Sequence, residues 1–172
     1  MLQNYCSNRA ISIIVMQDNQ QKPDTELMDR AVELALQNVR HGGKPFGAVL
    51  VKEGKVIATG VNEVVQRGDV TAHAELEAIR KATSEGYTLE GATLYASGHP
   101  CPMCLSASYL AGIAQIFYQA GLEEEKEAGL DVSHIYAELR KSWQEQQLPL
   151  QRLSSALSED PLKEWMKRQG RD

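Results

Sequence analysis

His73-Ala74-Glu75 and, further along, Pro100-Cys101-Pro102-Met103-Cys104 are the residues of this sequence whose types and spacing allow chemistry. Two cysteines at i and i+3 at a helix start turn both sulfurs toward one point. A histidine from a second helix start completes three protein ligands for Zn2+ and leaves a fourth position open to water. A helix N-terminus favours thiolate over thiol, and a bound metal completes the deprotonation, so both sulfurs serve as ligands at neutral pH. Glu75 faces the open position without binding the metal, as a general acid and base has to. Zinc with two thiolates and a neutral imidazole has no net charge, so its Lewis acidity is moderate and a carboxylate partner is needed to activate water. The bland alternatives are a closed structural zinc site or a cysteine pair packed as small apolar residues. Structural sites usually complete four protein ligands. Here the remaining cysteine, Cys6, lies near the N-terminus, and His41, His99 and His134 lack ligand-like spacing.

The elements that position these residues follow from apolar periodicity. A start signal at Pro23-Asp24-Thr25-Glu26, followed by Leu27, Met28, Ala31, Leu34, Ala35 and Val39, predicts a helix ending near His41. Residues 46–51 and 56–61 are β-rich runs joined by Lys52-Glu53-Gly54-Lys55, the pattern of a hairpin. Residues 62–71 read as a polar loop, and 72–83 as a helix with Ala74, Ala78 and Ile79 on its buried face. A short strand over 93–97 leads through Gly98-His99-Pro100 into a helix over 102–111 with proline in its first turn. A strand over 113–118, polar helical segments over 123–128 and 132–143, a strand around 148–153 and a last helix over 160–167 complete the order. Strands alternating with helices after an opening hairpin imply an α/β sandwich with a sheet partly antiparallel and partly parallel.

The sequence has 172 residues, 42% hydrophobic and 24% charged, which suits one ordinary globular domain rather than a disordered or collagenous chain. A net charge of −5 offers no general attraction for nucleic-acid phosphates or anionic lipid, so a small-molecule substrate is the default, with no nucleic acid and no membrane as partners. Three cysteines, two of them close together, fit a reducing cytoplasm better than a secreted disulfide framework. Residues 10–15 are apolar beside Arg9 but too short to span a bilayer and have no convincing cleavage site after them. Residues 1–22 are expected to form a loose extension, with Met16 a candidate initiator.

His-x-Glu with Pro-Cys-x-x-Cys is the signature of the zinc deaminases. At these residues the chain resembles the cytidine-deaminase-like superfamily, and within it the bacterial guanine deaminase branch. The resemblance runs from about Leu27 to Trp165 and includes Pro45-Phe46-Gly47-Ala48-Val49, Thr71-Ala72-His73-Ala74-Glu75, Ala78-Ile79-Arg80-Lys81-Ala82 and Glu127-Ala128-Gly129 followed by Ile135-Tyr136. It implies a three-layer α/β/α sandwich with a mixed central sheet, and a deaminase domain over residues 23–172. His73, Cys101 and Cys104 would hold zinc, and Glu75 would shuttle protons. Asn62 would hydrogen-bond the base, though a turn-capping asparagine is the plainer reading of that position. The backbone N–H of Ala74 would point toward substrate, and Phe46 would line the pocket unless it is ordinary core. The implied reaction converts guanine to xanthine and ammonia in a homodimer. The alternatives are a tRNA adenosine deaminase, a deaminase of another purine, pterin or pyrimidine, and a non-catalytic zinc-binding interaction protein.

The chain departs from this branch at three places. Gly98-His99-Pro100-Cys101 stands where the branch has Cys-Glu-Pro-Cys. Val132 replaces a second acid that follows the aspartate aligned with Asp131, which leaves Asp131 as the acid to read the ring. The C-terminus runs through Trp165 and ends without the tyrosine of the branch.

Overall fold

The computed structural model describes residues 22–157 and 159–170. Cys6, residues 10–15 and Met16 lie outside the described residues, as does all but Lys22 of the expected extension. The chain forms two compact units, one ending at Ile135 and one beginning at Tyr136. In the first, α1 (Thr25–Arg40) precedes a hairpin of β1 (Gly47–Lys52) and β2 (Lys55–Val61). The short α2 (Val64–Arg67), α3 (Ala74–Ser84), β3 (Thr93–Gly98), α4 (Pro102–Leu110), β4 (Gln115–Ala120) and α5 (Leu122–Glu127) follow. α6 (Ser133–Leu139) reaches into the second unit, which also holds α7 (Pro161–Arg168). No helix among the described residues is long and apolar enough to cross a membrane.

The sheet order is β2-β1-β3-β4, with β1 antiparallel to β2 and β3, and β3 parallel to β4. Glu53 and Gly54 take positive φ at the hairpin turn, which matches the right-handed twist of the paired strands. Side chains of β1 and β3 alternate between the two faces. Val49, Val51 and Tyr95 pack with Ala31 of α1, whereas Ala48, Leu50 and Leu94 pack with Ala74 and Ala78 of α3. Helices therefore cover both faces, and the expected three layers around a mixed sheet are observed. Asp24 starts α1 by accepting from the Glu26 and Leu27 N–H groups at 3.0 and 3.4 Å.

Two glycines let the helices approach. A Cβ on Gly47 would strike the Ala31 carbonyl and the Ala35 nitrogen, and one on Gly60 would strike the Ala74 carbonyl and the Ala78 nitrogen. Small residues on both partners bring each helix backbone onto its strand, and for α3 this sets where its N-terminus sits.

Three expectations are corrected. The loop over 62–71 contains one helical turn, α2, closed by Gly68 at φ 64°. The helix expected over 132–143 ends at Leu139, and Ser142 closes a turn with Glu145, its Oγ donating to Oε2 at 2.6 Å. The strand expected over 148–153 is absent: this segment has no partner strand among the described residues, and alternating apolar residues cannot make a strand alone. Leu148, Leu150 and Leu153 are exposed.

Gly60→Ala is expected to destabilise the protein by about 1–3 kcal/mol, through overpacking against the first turn of α3. Urea unfolding with zinc content measured in parallel reads both the loss of stability and any displacement of His73. Wild-type values for both would show that the helix does not depend on this contact.

Candidate active site

The strand register brings one end of the sheet together. Gly47 pairs with Val61, and Gly98 pairs with Ala120, so Phe46, Asn62, Gly98 and the start of α5 all lie at that end. This is the carboxyl end of the parallel pair β3 and β4, the side on which open α/β sheets place ligands. The N-termini of α3 and α4 arrive at the same place. His73 is the N-cap of α3 and Cys101 the N-cap of α4, both in extended conformation, and neither side chain caps its helix. Both side chains are thereby left for other partners. Pro102 at the first position of α4 has no N–H to satisfy and a φ suited to helix entry.

A hydrogen-bonded loop delivers His73. Asp69 Oδ1 accepts from the Thr71 N–H at 2.8 Å and from its hydroxyl at 2.7 Å. Arg80 donates to Thr71 Oγ1 at 3.0 Å, and the His73 N–H donates to the Thr71 carbonyl at 2.8 Å. These bonds hold Asp69 below the usual carboxylate range, with the Thr71 hydroxyl the main cause.

His73, Cys101 and Cys104 converge, their donor atoms all within 4.8 Å of one another. Cys101 Sγ is 3.5 Å and Cys104 Sγ 3.6 Å from His73 Nδ1. Zn–S bonds of about 2.3 Å and Zn–N bonds of about 2.0–2.1 Å in a tetrahedron imply sulfur–nitrogen edges of about 3.6 Å. The donor set and its spacing therefore fit zinc. A hydrogen bond from Cys104, joined by His73, holds the Cys101 thiol at about 4, well below its ordinary value. The same bond, with burial, pushes Cys104 upward. The bond to Cys101 raises His73 against the opposing effect of burial.

A cleft of about 230 Å³ opens beside this group, lined by Phe46, Asn62, His73, Glu75, Cys101 and Asp131 among others. Glu75 is 7% exposed, and burial pushes its carboxyl above the usual range. Asn62 is buried, its Oδ1 accepting from the Val64 N–H at 3.2 Å as a turn-capping asparagine does, and its carbonyl accepting from Asn38 Nδ2 at 2.7 Å. Phe46 lines the cleft and packs on the core. Ala74 turns its methyl into the core; as the first residue of α3 its N–H has no intrahelical acceptor. Asp131 lies at the cleft with Oδ1 accepting from the Ser133 N–H at 2.8 Å, and its carboxyl is held below the usual range, chiefly by the Ser133 side chain. Val132 also lines the cleft. His99 lines it too, its ring edge-on to Tyr118 at 4.8 Å.

The sequence reading missed Lys44, Glu125, Gly129 and Leu130, which line the cleft. Glu125 stands in the run Glu123-Glu124-Glu125, which reads as a solvated helix face, and no pattern in the sequence separates it from its exposed neighbours.

Ligands must be deprotonated to bind metal. Because Cys104 and His73 are both raised, zinc affinity is expected to strengthen as pH rises through neutrality and to weaken as it falls. Calorimetry of the metal-free protein in buffers of different ionisation enthalpy should find proton release on zinc binding at pH 7. Cys104→Ala should weaken binding by roughly a hundredfold or more, since losing a ligand exceeds the effect of losing a ligand's supporting partner. Binding without proton release would count against this ligand set.

Residues 21–120 match the cytidine and deoxycytidylate deaminase zinc-binding region. The guanine deaminase of Bacillus subtilis (strain 168) is 44% identical over 141 residues, which cover 80% of this chain and 90% of that protein. The X-ray structure of guanine deaminase from Bacillus subtilis superposes with a TM-score of 0.78 at 42% identity, covering 85% of this chain and 95% of that one. A tRNA-specific adenosine deaminase of Aquifex aeolicus (strain VF5) is 36% identical over 135 residues, 75% of this chain and 87% of that protein. The family region spans more than half of the chain and a relative of high identity spans most of it, so the chain belongs to the cytidine and deoxycytidylate deaminase zinc-binding family.

Proposed function

We propose that the protein is a zinc-dependent hydrolytic deaminase of a free nucleobase, converting guanine and water to xanthine and ammonia. The observation that carries this reading is the meeting of His73, Cys101 and Cys104 beside the buried Glu75, in a chain 44% identical to a guanine deaminase along most of both lengths. The small cleft suits a single heterocycle, being below the range of about 300–1,000 Å³ usual for drug-sized ligands.

In this reading His73, Cys101 and Cys104 would hold the metal, which would supply Lewis acidity and make water easier to deprotonate. Glu75 accepts a proton from the attacking water and delivers it to the ring nitrogen beside the amino-bearing carbon. It then moves the second proton of that water, from the added hydroxyl, to the departing amino nitrogen, which leaves as ammonia while the ring keeps the water oxygen. Burial raises its carboxyl and so favours the protonated form that donates to the ring. Asn62, with its oxygen engaged by Val64, presents its amide nitrogen to a ring acceptor. The Ala74 N–H donates beside it, Phe46 packs on the ring and Asp131 sits at the rim.

A tRNA substrate is disfavoured by the net charge of −5, since RNA binding leaves a basic footprint. Lys163, Lys167 and Arg168 are interleaved with Glu164, which pairs with Arg168 at 3.1 Å. The same reading makes the protein a cytoplasmic enzyme of purine metabolism that works as a homodimer.

Zinc-loaded protein is expected to release ammonia from guanine and to bind tRNA only weakly. Turnover of a different base in a panel of purines, pterins and pyrimidines would move the substrate and keep the reaction, whereas tight, salt-sensitive tRNA binding would favour the RNA reading. Glu75→Gln should keep zinc and fold and lose at least about a hundredfold in kcat, the lower end of what a positioned general acid and base contributes. Retained turnover would remove Glu75 from its role.

A further inference from the structure

Glu125 is a buried acid that the proposed mechanism does not use. It is 5% exposed, although Glu123 and Glu124 beside it on α5 are exposed. The His99 backbone N–H donates to its carboxylate, while Oε1 is fully buried and has no hydrogen-bond partner. Glu125 lines the same cleft as His73, Glu75, Cys101 and Asn62. The ionisable groups that act on it most strongly are Glu75, Cys101 and Asp131, none of which supplies a positive charge. Burial, followed by these neighbours, pushes its carboxyl to about 7. An acceptor oxygen held this way is costly to leave unmet, and native structures rarely do so without a use for it.

The room for this carboxyl is also built in. A Cβ on Gly98 would lie 2.5 Å from Glu125 Oε1 and 2.7 Å from Phe46 Cε1. Gly98 has a buried position at the last residue of β3, so a side chain there could not swing into solvent. Phe46 and Glu125 both line the cleft, and the absent side chain of Gly98 behind them leaves room for the Glu125 carboxyl.

We propose that Glu125 is a substrate-reading residue, its carboxylate turning in the cleft wall so that Oε1 accepts a hydrogen bond from a ring N–H of the purine. The inference rests on the deaminase reading above and adds to it a determinant of which ring is accepted. A ring that presents an N–H to this oxygen pairs it. A ring with a bare nitrogen or an N-methyl group at that edge leaves the acceptor buried and unmet, and mismatches of that kind discriminate strongly between substrates.

The test compares wild type, Glu125→Gln and Glu125→Ala on guanine, 1-methylguanine and 9-methylguanine, with zinc content and Tm recorded for each. Wild type should prefer guanine over at least one N-methylated base. Both variants should keep zinc, show at least about a tenfold rise in KM for guanine, and lose about tenfold of that preference. Glutamine should not rescue: with its carbonyl accepting from the His99 N–H, its amide nitrogen would face the ring N–H, donor against donor. Glu125→Gln preserves volume, so it remains informative if the alanine variant folds poorly. A Glu125→Gln enzyme with wild-type KM and wild-type preference overturns the inference alone, as does a wild type indifferent to both N-methyl groups. A wild type that deaminates no purine overturns the proposed function together with this inference.

Discussion

Two helix N-termini have to meet at one end of the sheet for this protein to hold a metal, and backbone packing decides whether they do. α3 can lie on β2 because Gly60 has no Cβ to hold off the Ala74 carbonyl, with Ala74 and Ala78 on the facing side of the helix. α4 begins where β3 ends, and β3 is tied to β1 by antiparallel pairing and to β4 by parallel pairing. The separation between His73 and the two sulfurs is therefore set by sheet register and helix–strand distance, well before any ligand arrives. A shift of an ångström in α3 would open the sulfur–nitrogen edges beyond what a zinc tetrahedron spans.

That same packing makes the site electrostatically demanding. Glu75, Glu125 and the two cysteines are all buried at the end of the sheet. Without compensation their charged forms are disfavoured, and both glutamates are indeed raised, chiefly by burial. Partial positive charge at two helix N-termini offsets some of this, and a divalent cation would offset far more. Raised carboxyls beside a metal-binding group are the condition in which protons move easily near neutral pH, so the cost of burying the acids is tied to the chemistry.

Zinc deaminases share their metal motifs and differ in substrate through pocket shape and contacts, which locates specificity in the walls of the cleft rather than in the ligands. In this chain those walls come from Phe46, Asn62, His99, Glu125 and the segment from Gly129 to Val132. They belong to separate stretches of sequence joined by the register at the sheet end, so a substitution behind a wall is felt in it, as Gly98 and Glu125 illustrate.

How much of this was legible beforehand depends on the range of the interaction. His73, Glu75, Cys101 and Cys104 were readable from sequence because each pair sits within one helix turn, where local spacing dictates direction. The helices and strands that position them were readable for the same reason, since apolar period and capping residues such as Asp24 act over a few neighbours. The strand expected over 148–153 failed because pairing requires a partner that alternation along one segment cannot supply. α2 was missed because its single turn is too short to show a period. Glu125 was illegible for a deeper reason: three consecutive glutamates are equivalent in sequence, and only the third is buried, its carboxyl lying against Gly98 at the end of β3. The sequence by itself determined the metal ligands, the acid beside them and the layered α/β plan. The tertiary structure alone decided which acids face the cleft, because that depends on distances between segments with no local signal in common.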